Sequence, residues 1–198
     1  SDIFGGDEFT THIIQSSDGD IWIGALGKIF VYHQGDWNLY KAPAYKIPAN
    51  RLMLYEGSND KLWIVGVKSK PLLFDYSSER WLSYKNLNFQ CENEADDLWF
   101  LDVKGRAIVK RGEQWTAYGT GDGLMDAPVR IIKTRAGQIW AAGSHRGVAA
   151  TAYLKNGRWY KQEHPALSWG IDYRAVFEAR DGSLWFGAGV DFDWEKGQ

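Results

Sequence analysis

The sequence has a single cysteine, almost no net charge and no long hydrophobic run, and each of these absences excludes a class of protein. Cys91 is the only cysteine in 198 residues, so an intrachain disulfide framework is excluded. The net charge is −2, so nothing in the composition points to nucleic acid or to an anionic membrane surface as a partner. No apolar stretch approaches the roughly 18 residues that cross a bilayer. Sustained 3.6-residue periodicity is also missing, which indicates that helices are minor elements.

Aromatic residues and glycine are abundant instead. The chain contains 11 Trp, 10 Tyr and 9 Phe, which together make 15% of its residues, and 22 Gly. Aromatic side chains favour β-strands and glycine favours tight turns. The composition therefore predicts a β-rich protein.

The tryptophans define an internal repeat of about forty residues. Each copy has a first-column tryptophan that follows Ile or Leu, with Gly or Asp three residues before it. A second tryptophan follows a turn in four copies. The first column is Trp22, Trp63, Trp99, Trp140 and Trp185, and the second is Trp37, Trp81, Trp115 and Trp159.

Each complete copy divides into four short strands separated by turn residues, as the turn Lys155-Asn156-Gly157 shows in the fourth copy. Four antiparallel strands in forty residues are typical of a propeller blade. We therefore predict an all-β fold, a β-propeller of four-stranded antiparallel blades with four complete blades and a partial fifth. The expected blades of this single domain or propeller segment span about 9–40, 50–84, 88–118, 128–163 and 173–198.

Two interpretations of ring closure stay open. The fifth copy lacks a fourth strand, which Asp2–Phe4 could supply in a five-bladed ring. Alternatively, the chain is an excerpt of a larger propeller. In either case the large aromatic side chains must fill the space between neighbouring blades, so all nine repeated tryptophans are expected to pack there.

The repeat resembles the two-component regulator propeller repeat. The similarity is carried by Gly123-Leu124-Met125, by Ala136-Gly137-Gln138-Ile139-Trp140-Ala141 and by Asp181-Gly182-Ser183-Leu184-Trp185-Phe186-Gly187. The second and third copies depart from it, because Val65 and Leu101 replace the glycine after the tryptophan. The resemblance implies a sensor propeller of a hybrid histidine kinase, in the periplasm or outside the cell. Sensor propellers of that family often sense glycans or their breakdown products.

The sequence contains no convincing catalytic or metal-binding motif, so we expect no enzyme activity and no cofactor. Gly5-Gly6-Asp7-Glu8-Phe9 spells a diguanylate cyclase signature, but Trp-repeat strands come after it instead of an α/β domain. Asp191 and Asp193 alternate on a possible strand, and they support the rival hypothesis of a propeller lyase or glycosidase. The four histidines show no metal-ligand spacing. Cys91 aligns with apolar residues of the other copies and is expected in the core.

The remaining functional candidates lie on loops that should share one face of the blades. Arginine and aromatic side chains on such a rim suit an acidic or sugar-like ligand, through bidentate hydrogen bonds and stacking. The expected partners are therefore a glycan or other small ligand, and further blades or subunits, with a stand-alone lectin-like or protein-interaction propeller as the alternative function. The candidate ligand-binding residues are Arg51, Arg130, His145, Arg146, Trp169, Tyr173 and Arg174.

Overall fold

The computed structural model describes residues 10–25, 28–40, 52–57, 60–66, 71–78, 80–93, 96–167 and 170–188. These residues form eighteen β-strands and one short 3-10 helix, η1 (Thr120–Asp122). The described residues contain no helix long and apolar enough to span a membrane.

The strands form four antiparallel sheets of four strands and one of two strands, and each sheet is one repeat. Blade 1 consists of β1 (Thr10–Gln15), β2 (Ile21–Ala25), β3 (Lys28–His33) and β4 (Asp36–Tyr40). Blade 2 consists of β5 (Leu52–Gly57), β6 (Lys61–Gly66), β7 (Leu72–Asp75) and β8 (Arg80–Ser83). Blade 3 consists of β9 (Leu87–Glu92), β10 (Leu98–Asp102), β11 (Ala107–Arg111) and β12 (Gln114–Tyr118). Blade 4 consists of β13 (Ala127–Lys133), β14 (Ile139–His145), β15 (Val148–Lys155) and β16 (Arg158–Glu163). Blade 5 contains β17 (Ile171–Glu178) and β18 (Leu184–Ala188).

The strand order within each sheet matches the order along the chain, so every blade is a simple meander of neighbouring hairpins. Four complete antiparallel blades and a partial fifth confirm the predicted fold class. Two compact units divide the chain, Ser1–Phe89 and Gln90–Gln198, and the boundary falls inside β9. Each unit has its own hydrophobic core.

Turn residues set the hairpin register. Asn156 and Gly157 join β15 to β16 with φ angles of 50° and 74°. Positive φ at both central residues is the type I′ geometry whose twist matches that of the flanking strands. The first strands β1, β13 and β17 each shift register near their beginning. Such irregularities bend a strand and re-aim its side chains.

The core of unit 1 lies between blades 1 and 2. Trp22 is 1% exposed and packs against Tyr40 of its own blade and against Phe74 and Tyr76 of blade 2. Trp63 is fully buried and stacks on Phe89 with ring centroids 3.9 Å apart. First-column tryptophans therefore close the blade junctions, as predicted.

The core of unit 2 lies between blades 3 and 4. Trp99 is 1% exposed and meets Trp159 edge-on, with ring centroids 6.1 Å apart. Leu124 and Met125, which belong to the repeat motif, are fully buried in the same cluster. Gly123 precedes them at φ +91°, and a Cβ there would lie 2.1 Å from the Trp159 carbonyl oxygen. The motif therefore needs glycine because the chain passes directly over the β16 backbone.

The expectation that all nine repeated tryptophans are packed between blades is wrong for Trp115 and Trp185. Trp185 is 59% exposed, because no further sheet covers blade 5 within the described residues. Trp115 is 47% exposed and lies against Phe100 of its own blade, with the Lys110 ammonium 5.9 Å from its ring centroid. These indoles face outward and do not fill a junction.

Polar side chains also join neighbouring blades by accepting hydrogen bonds from backbone amides. The Leu54 N–H of blade 2 donates to Nδ1 of His12 in blade 1 at 3.1 Å. In the equivalent place of unit 2, the Ile131 N–H of blade 4 donates to Oε1 of Gln90 in blade 3 at 2.9 Å. Both amides stand nine residues before the first-column tryptophan of their blade. The two junctions thus satisfy the same buried donor with different side chains.

Candidate ligand-binding rim

A tight turn at the end of the β14–β15 hairpin presents the strongest candidate residue. Arg146 and Gly147 form the turn with φ angles of 52° and 78°, and the flanking residues His145 and Val148 pair across it. Left-handed φ is uncommon for a residue with a side chain, and such positions concentrate at functional sites. The Arg146 side chain is exposed. The guanidinium is therefore held at the tip of a rigid hairpin.

Asp126 fixes this turn from the segment that precedes β13. Its carboxylate accepts the Arg146 N–H at 3.2 Å and 3.1 Å through its two oxygens. The same carboxylate lies 3.5 Å from Nδ1 of His145, whose side chain is only 13% exposed. That nitrogen is buried and has no hydrogen-bond partner within the part of the chain that the structure describes. The Asp126 carboxylate therefore accepts the Arg146 amide and also lies close to the buried His145 ring.

The neighbouring blade contributes a second turn to the same area. A Cβ on Gly105, in the β10–β11 turn, would lie 3.0 Å from the Asp126 carbonyl oxygen. The same turn holds Arg106, whose guanidinium binds Asp102 at 2.7 Å and 2.8 Å. Partial burial acts to raise the pKa of Asp102, but hydrogen bonds from the Arg106 and Lys104 amides and from the guanidinium outweigh it and lower the pKa. The Asp102 carboxylate thus stabilises the β10–β11 turn by accepting these hydrogen bonds.

The segment after β16 completes the group of loops. The His164 N–H donates to the Ala149 carbonyl oxygen at 2.7 Å, and its Nε2 lies 2.9 Å from Oγ1 of Thr151. Further along, a Cβ on Gly170 would lie 3.1 Å from Cβ of Ser144. The beginning of β17 therefore lies directly beside the end of β14. We call the residues Asp126, Ser144, His145, Arg146 and Gly170 the blade 4 rim.

The structure describes five of the seven predicted site residues. His145 and Arg146 belong to the blade 4 rim, and Tyr173 lies in β17, three residues after Gly170, with 40% exposure. Arg130 lies on β13 directly after the register shift and is partly buried. Arg174 belongs to β17, while Arg51 and Trp169 lie outside the described residues. Their role in binding stays a prediction.

Sequence reasoning missed Asp126 and the Asp102–Arg106 pair. Asp126 belongs to neither tryptophan column, and its position before Ala127-Pro128 gave only a weak signal. The informative pattern was an acidic residue beside a strand start, close to a hairpin tip that requires positive φ. The Arg146 N–H in this turn needs a hydrogen-bond acceptor, and the Asp126 carboxylate provides it.

Metal-ligand groups and the single cysteine are the other chemical candidates of the sequence. They contain no group of three or more His, Cys, Asp and Glu side chains arranged to hold a metal ion. Cys91 packs against the unit 2 core as expected, and burial of its thiol raises its pKa to about 12 although the residue as a whole is only partly buried. Such a thiol is a poor nucleophile. Asp191, Asp193 and the Gly5–Phe9 motif lie outside the described residues.

Solved structures with the same fold include extracellular domains assigned to hybrid two component systems of B. thetaiotaomicron. One has a TM-score of 0.63 at 17% identity, over 89% of this chain and 26% of that chain. Another has a TM-score of 0.65 at 18% identity, over 91% of this chain and 25% of that chain. The chain therefore spans about a quarter of the length of these domains.

A third similar structure is YCF48 bound to D1 peptide, with a TM-score of 0.61 at 13% identity, over 94% of this chain and 63% of that chain. No protein-family profile and no curated protein sequence matches the chain. The likeness is thus one of fold, and it agrees with the repeat that the sequence displays. The chain is a β-propeller segment, and it shares its fold with extracellular domains of hybrid two-component systems.

Proposed function

We propose that this chain is a non-catalytic binding portion of an extracytoplasmic sensor in a two-component signalling protein. The carrying observation is the likeness in fold to extracellular domains of hybrid two component systems, joined to the repeat resemblance. The proposed binding site is the blade 4 rim together with Tyr173. Loops on a rigid scaffold are where binding residues concentrate.

The proposed ligand is an acidic oligosaccharide. The Arg146 guanidinium is exposed at a fixed hairpin tip and suits a carboxylate through paired hydrogen bonds. Tyr173 offers an exposed ring to the apolar face of a sugar. Asp126 supports the site indirectly, because it holds the Arg146 amide and so keeps the turn in place.

Calorimetric titration of the chain tests this proposal. The probes are oligogalacturonates and neutral galacto-oligosaccharides of matched length. We expect the acidic series to bind and the neutral series to bind far more weakly. Arg146→Asn should weaken binding by about 1.5–3 kcal/mol, about ten- to hundredfold, because a charge-assisted hydrogen bond is lost. Asparagine tolerates left-handed φ, so the turn itself is retained.

Arg158→Asn is the matched control, since Arg158 is exposed on the same blade beside the turn at the other end of β15. It should leave the affinity unchanged. Failure of every acidic oligosaccharide to bind, or equal loss in both variants, would contradict the assignment of the ligand to the blade 4 rim.

A stand-alone protein-interaction propeller is the second candidate function. It is favoured by the likeness to YCF48, which was solved bound to D1 peptide. A full-length reading frame without any signalling module would favour this candidate over the sensor.

A further inference from the structure

His145 ends β14 with a ring nitrogen that makes no hydrogen bond. The residue pairs with Val148 across the β14–β15 turn, and its side chain is only 13% exposed. Its Nδ1 atom is buried and has no hydrogen-bond partner within the part of the chain that the structure describes. Buried polar atoms without a partner are rare in native proteins, so the surroundings of this nitrogen are informative.

The group that lies beside this nitrogen is a carboxylate. Oδ1 of Asp126 is 3.5 Å from Nδ1 of His145, which is beyond the roughly 3.2 Å of an N–H···O hydrogen bond. By contrast, the pair of His33 and Asp20 in blade 1 is closed, since Nδ1 of His33 lies 2.7 Å and 2.8 Å from the two carboxylate oxygens. The pair of His145 and Asp126 therefore has the same chemical groups in an open arrangement.

Protonation of the imidazole favours closing this pair. Neutral imidazole carries a hydrogen on one nitrogen, whereas imidazolium carries one on each. Protonated His145 therefore places an N–H and a positive charge beside the Asp126 carboxylate, and a charge-assisted hydrogen bond is shorter and stronger than a neutral one. Histidine is the side chain that ordinarily changes its charge between about pH 5 and 8. The distance between the two groups should therefore decrease in acid.

Closing the pair changes the proposed ligand site in two ways that have the same sign. Both Asp126 oxygens accept the Arg146 N–H, at 3.2 Å and 3.1 Å, so a carboxylate held by His145 holds the hairpin tip more firmly. The Asp126 side chain is also 45% exposed, so its negative charge lies at the surface beside Arg146. Protonated His145 offsets that charge, which otherwise repels an acidic ligand.

The charged groups of the adjoining elements leave Asp126 as the ionic partner of His145. Asp102 and Arg106 of the β10–β11 turn bind each other. Nε2 of His164, after β16, lies 2.9 Å from a threonine hydroxyl of β15. Among the described residues, Asp126 is the one carboxylate within ion-pair distance of His145. The remaining charged or titratable residues of these elements are Lys104, Arg146, Glu163, Asp172, Tyr173 and Arg174.

We propose that protonation of His145 tightens the binding of the acidic ligand at the blade 4 rim, with His145 acting as a positioning residue through Asp126. The inference rests on the proposed function, since it concerns the same site and the same ligand. The coupling is reciprocal, because a proton that tightens ligand binding is itself bound more tightly when the ligand is present. Ligand binding should therefore take up protons from solution between about pH 5 and 8.

Calorimetric titration with an oligogalacturonate at about pH 5.5 and at about pH 8 tests the inference. Sugar carboxyls resemble an ordinary carboxyl, whose pKa is about 4, so the ligand stays ionised at both pH values. We expect binding to be about five- to tenfold tighter at the lower pH, at the lower end of the range for coupled binding events. Titrations at about pH 6.5 in buffers of different ionisation enthalpy should show proton uptake on binding.

Three variants assign the effect to its residues. Glutamine has no titrating group, so the affinity of His145→Gln should be independent of pH, without proton uptake. Asparagine keeps an oxygen that accepts the Arg146 N–H but carries no charge. Asp126→Asn should therefore also lose the pH dependence, and at about pH 8 it should bind at least as tightly as the wild type. His33→Gln, in a histidine–aspartate pair of blade 1, is the matched control and should keep the pH dependence.

The outcomes separate this inference from the proposed function. Equal affinity at both pH values, or a pH dependence that persists in His145→Gln, would overturn the inference and leave the proposed function standing. So would weaker binding of Asp126→Asn at every pH with the pH dependence unchanged, since that result gives Asp126 a purely structural role. Absence of binding at both pH values would overturn the inference and the proposed function together.

Discussion

Replacing Gln90 by leucine removes the acceptor of a buried backbone amide where blade 3 meets blade 4. Gln90 is 3% exposed, and its Oε1 accepts the Ile131 N–H at 2.9 Å. Leucine is close in size but offers no acceptor, so the amide stays buried without a partner. Leaving such a donor unsatisfied costs about 1–3 kcal/mol. For a chain of this length the expected fall in melting temperature is about 2–12 °C.

Urea unfolding followed by tryptophan fluorescence measures this loss, because Trp99 and Trp159 lie in the same core cluster. Gln162→Leu is the matched control, since Gln162 is exposed on β16, and it should change the free energy of unfolding by less than about 0.5 kcal/mol. Gln90→His should recover part of the loss, because His12 accepts the equivalent amide in unit 1. The reasoning is refuted if Gln90→Leu is as stable as Gln162→Leu.

Three further predictions concern single residues. Gly123→Ala should destabilise the chain by more than about 2 kcal/mol in urea unfolding, while Gly121→Ala, which has open space around it, should change little. Partial burial lowers the pKa of His12 below 6.5, so as the pH falls the unfolded chain binds a proton at His12 before the folded chain does. The free energy of unfolding should therefore be constant above about pH 6.5 with respect to this group and should decrease in acid. Urea unfolding at several pH values measures this decrease, which should be smaller in His12→Gln. Because burial raises the pKa of Cys91 to about 12, a thiol reagent at neutral pH should modify the native chain slowly and the urea-unfolded chain rapidly; rapid labelling of the native chain would contradict its place in the core.

Much of the fold is predictable because strands and turns depend on local sequence. The turn at Asn156 and Gly157 has the positive φ angles that its residue types favour. The tryptophan columns likewise predict burial at Trp22, Trp63 and Trp99, since each falls at the same position of a repeating sheet. The forty-residue repeat thus predicts both where the strands lie and which face of each sheet is packed.

The exposure of a repeated residue depends on whether another sheet packs on its blade, which periodicity does not encode. Trp185 has the same local sequence as its counterparts, yet it is 59% exposed because no further sheet covers it among the described residues. The acceptor role of Glu178 is equally non-local, since its donor lies in the preceding blade at Arg135. Glu56 and Glu178 both stand seven residues before the first-column tryptophan of their blade, and this shared spacing is a sequence signal for the role.

The candidate site was predictable only in part. Its hairpin tip at Arg146 was found because arginine on a loop between strands suits an acidic ligand. The support from Asp126 was missed, because that contact joins residues twenty positions apart through a side chain. A binding site built where the repeat breaks has no second copy in the sequence to reveal its partners.

The central claim is that the blade 4 rim binds the ligand while the blades act as a scaffold. Hydrogen–deuterium exchange of the chain with and without an oligogalacturonate tests this claim most directly. We predict slower exchange of amides in 144–147 and 170–173 when the oligosaccharide is present. The turn at Asn156 and Gly157, at the other end of β15, is the internal control and should exchange unchanged. Protection at that turn without protection at the rim, or no protection in either place, would contradict the account.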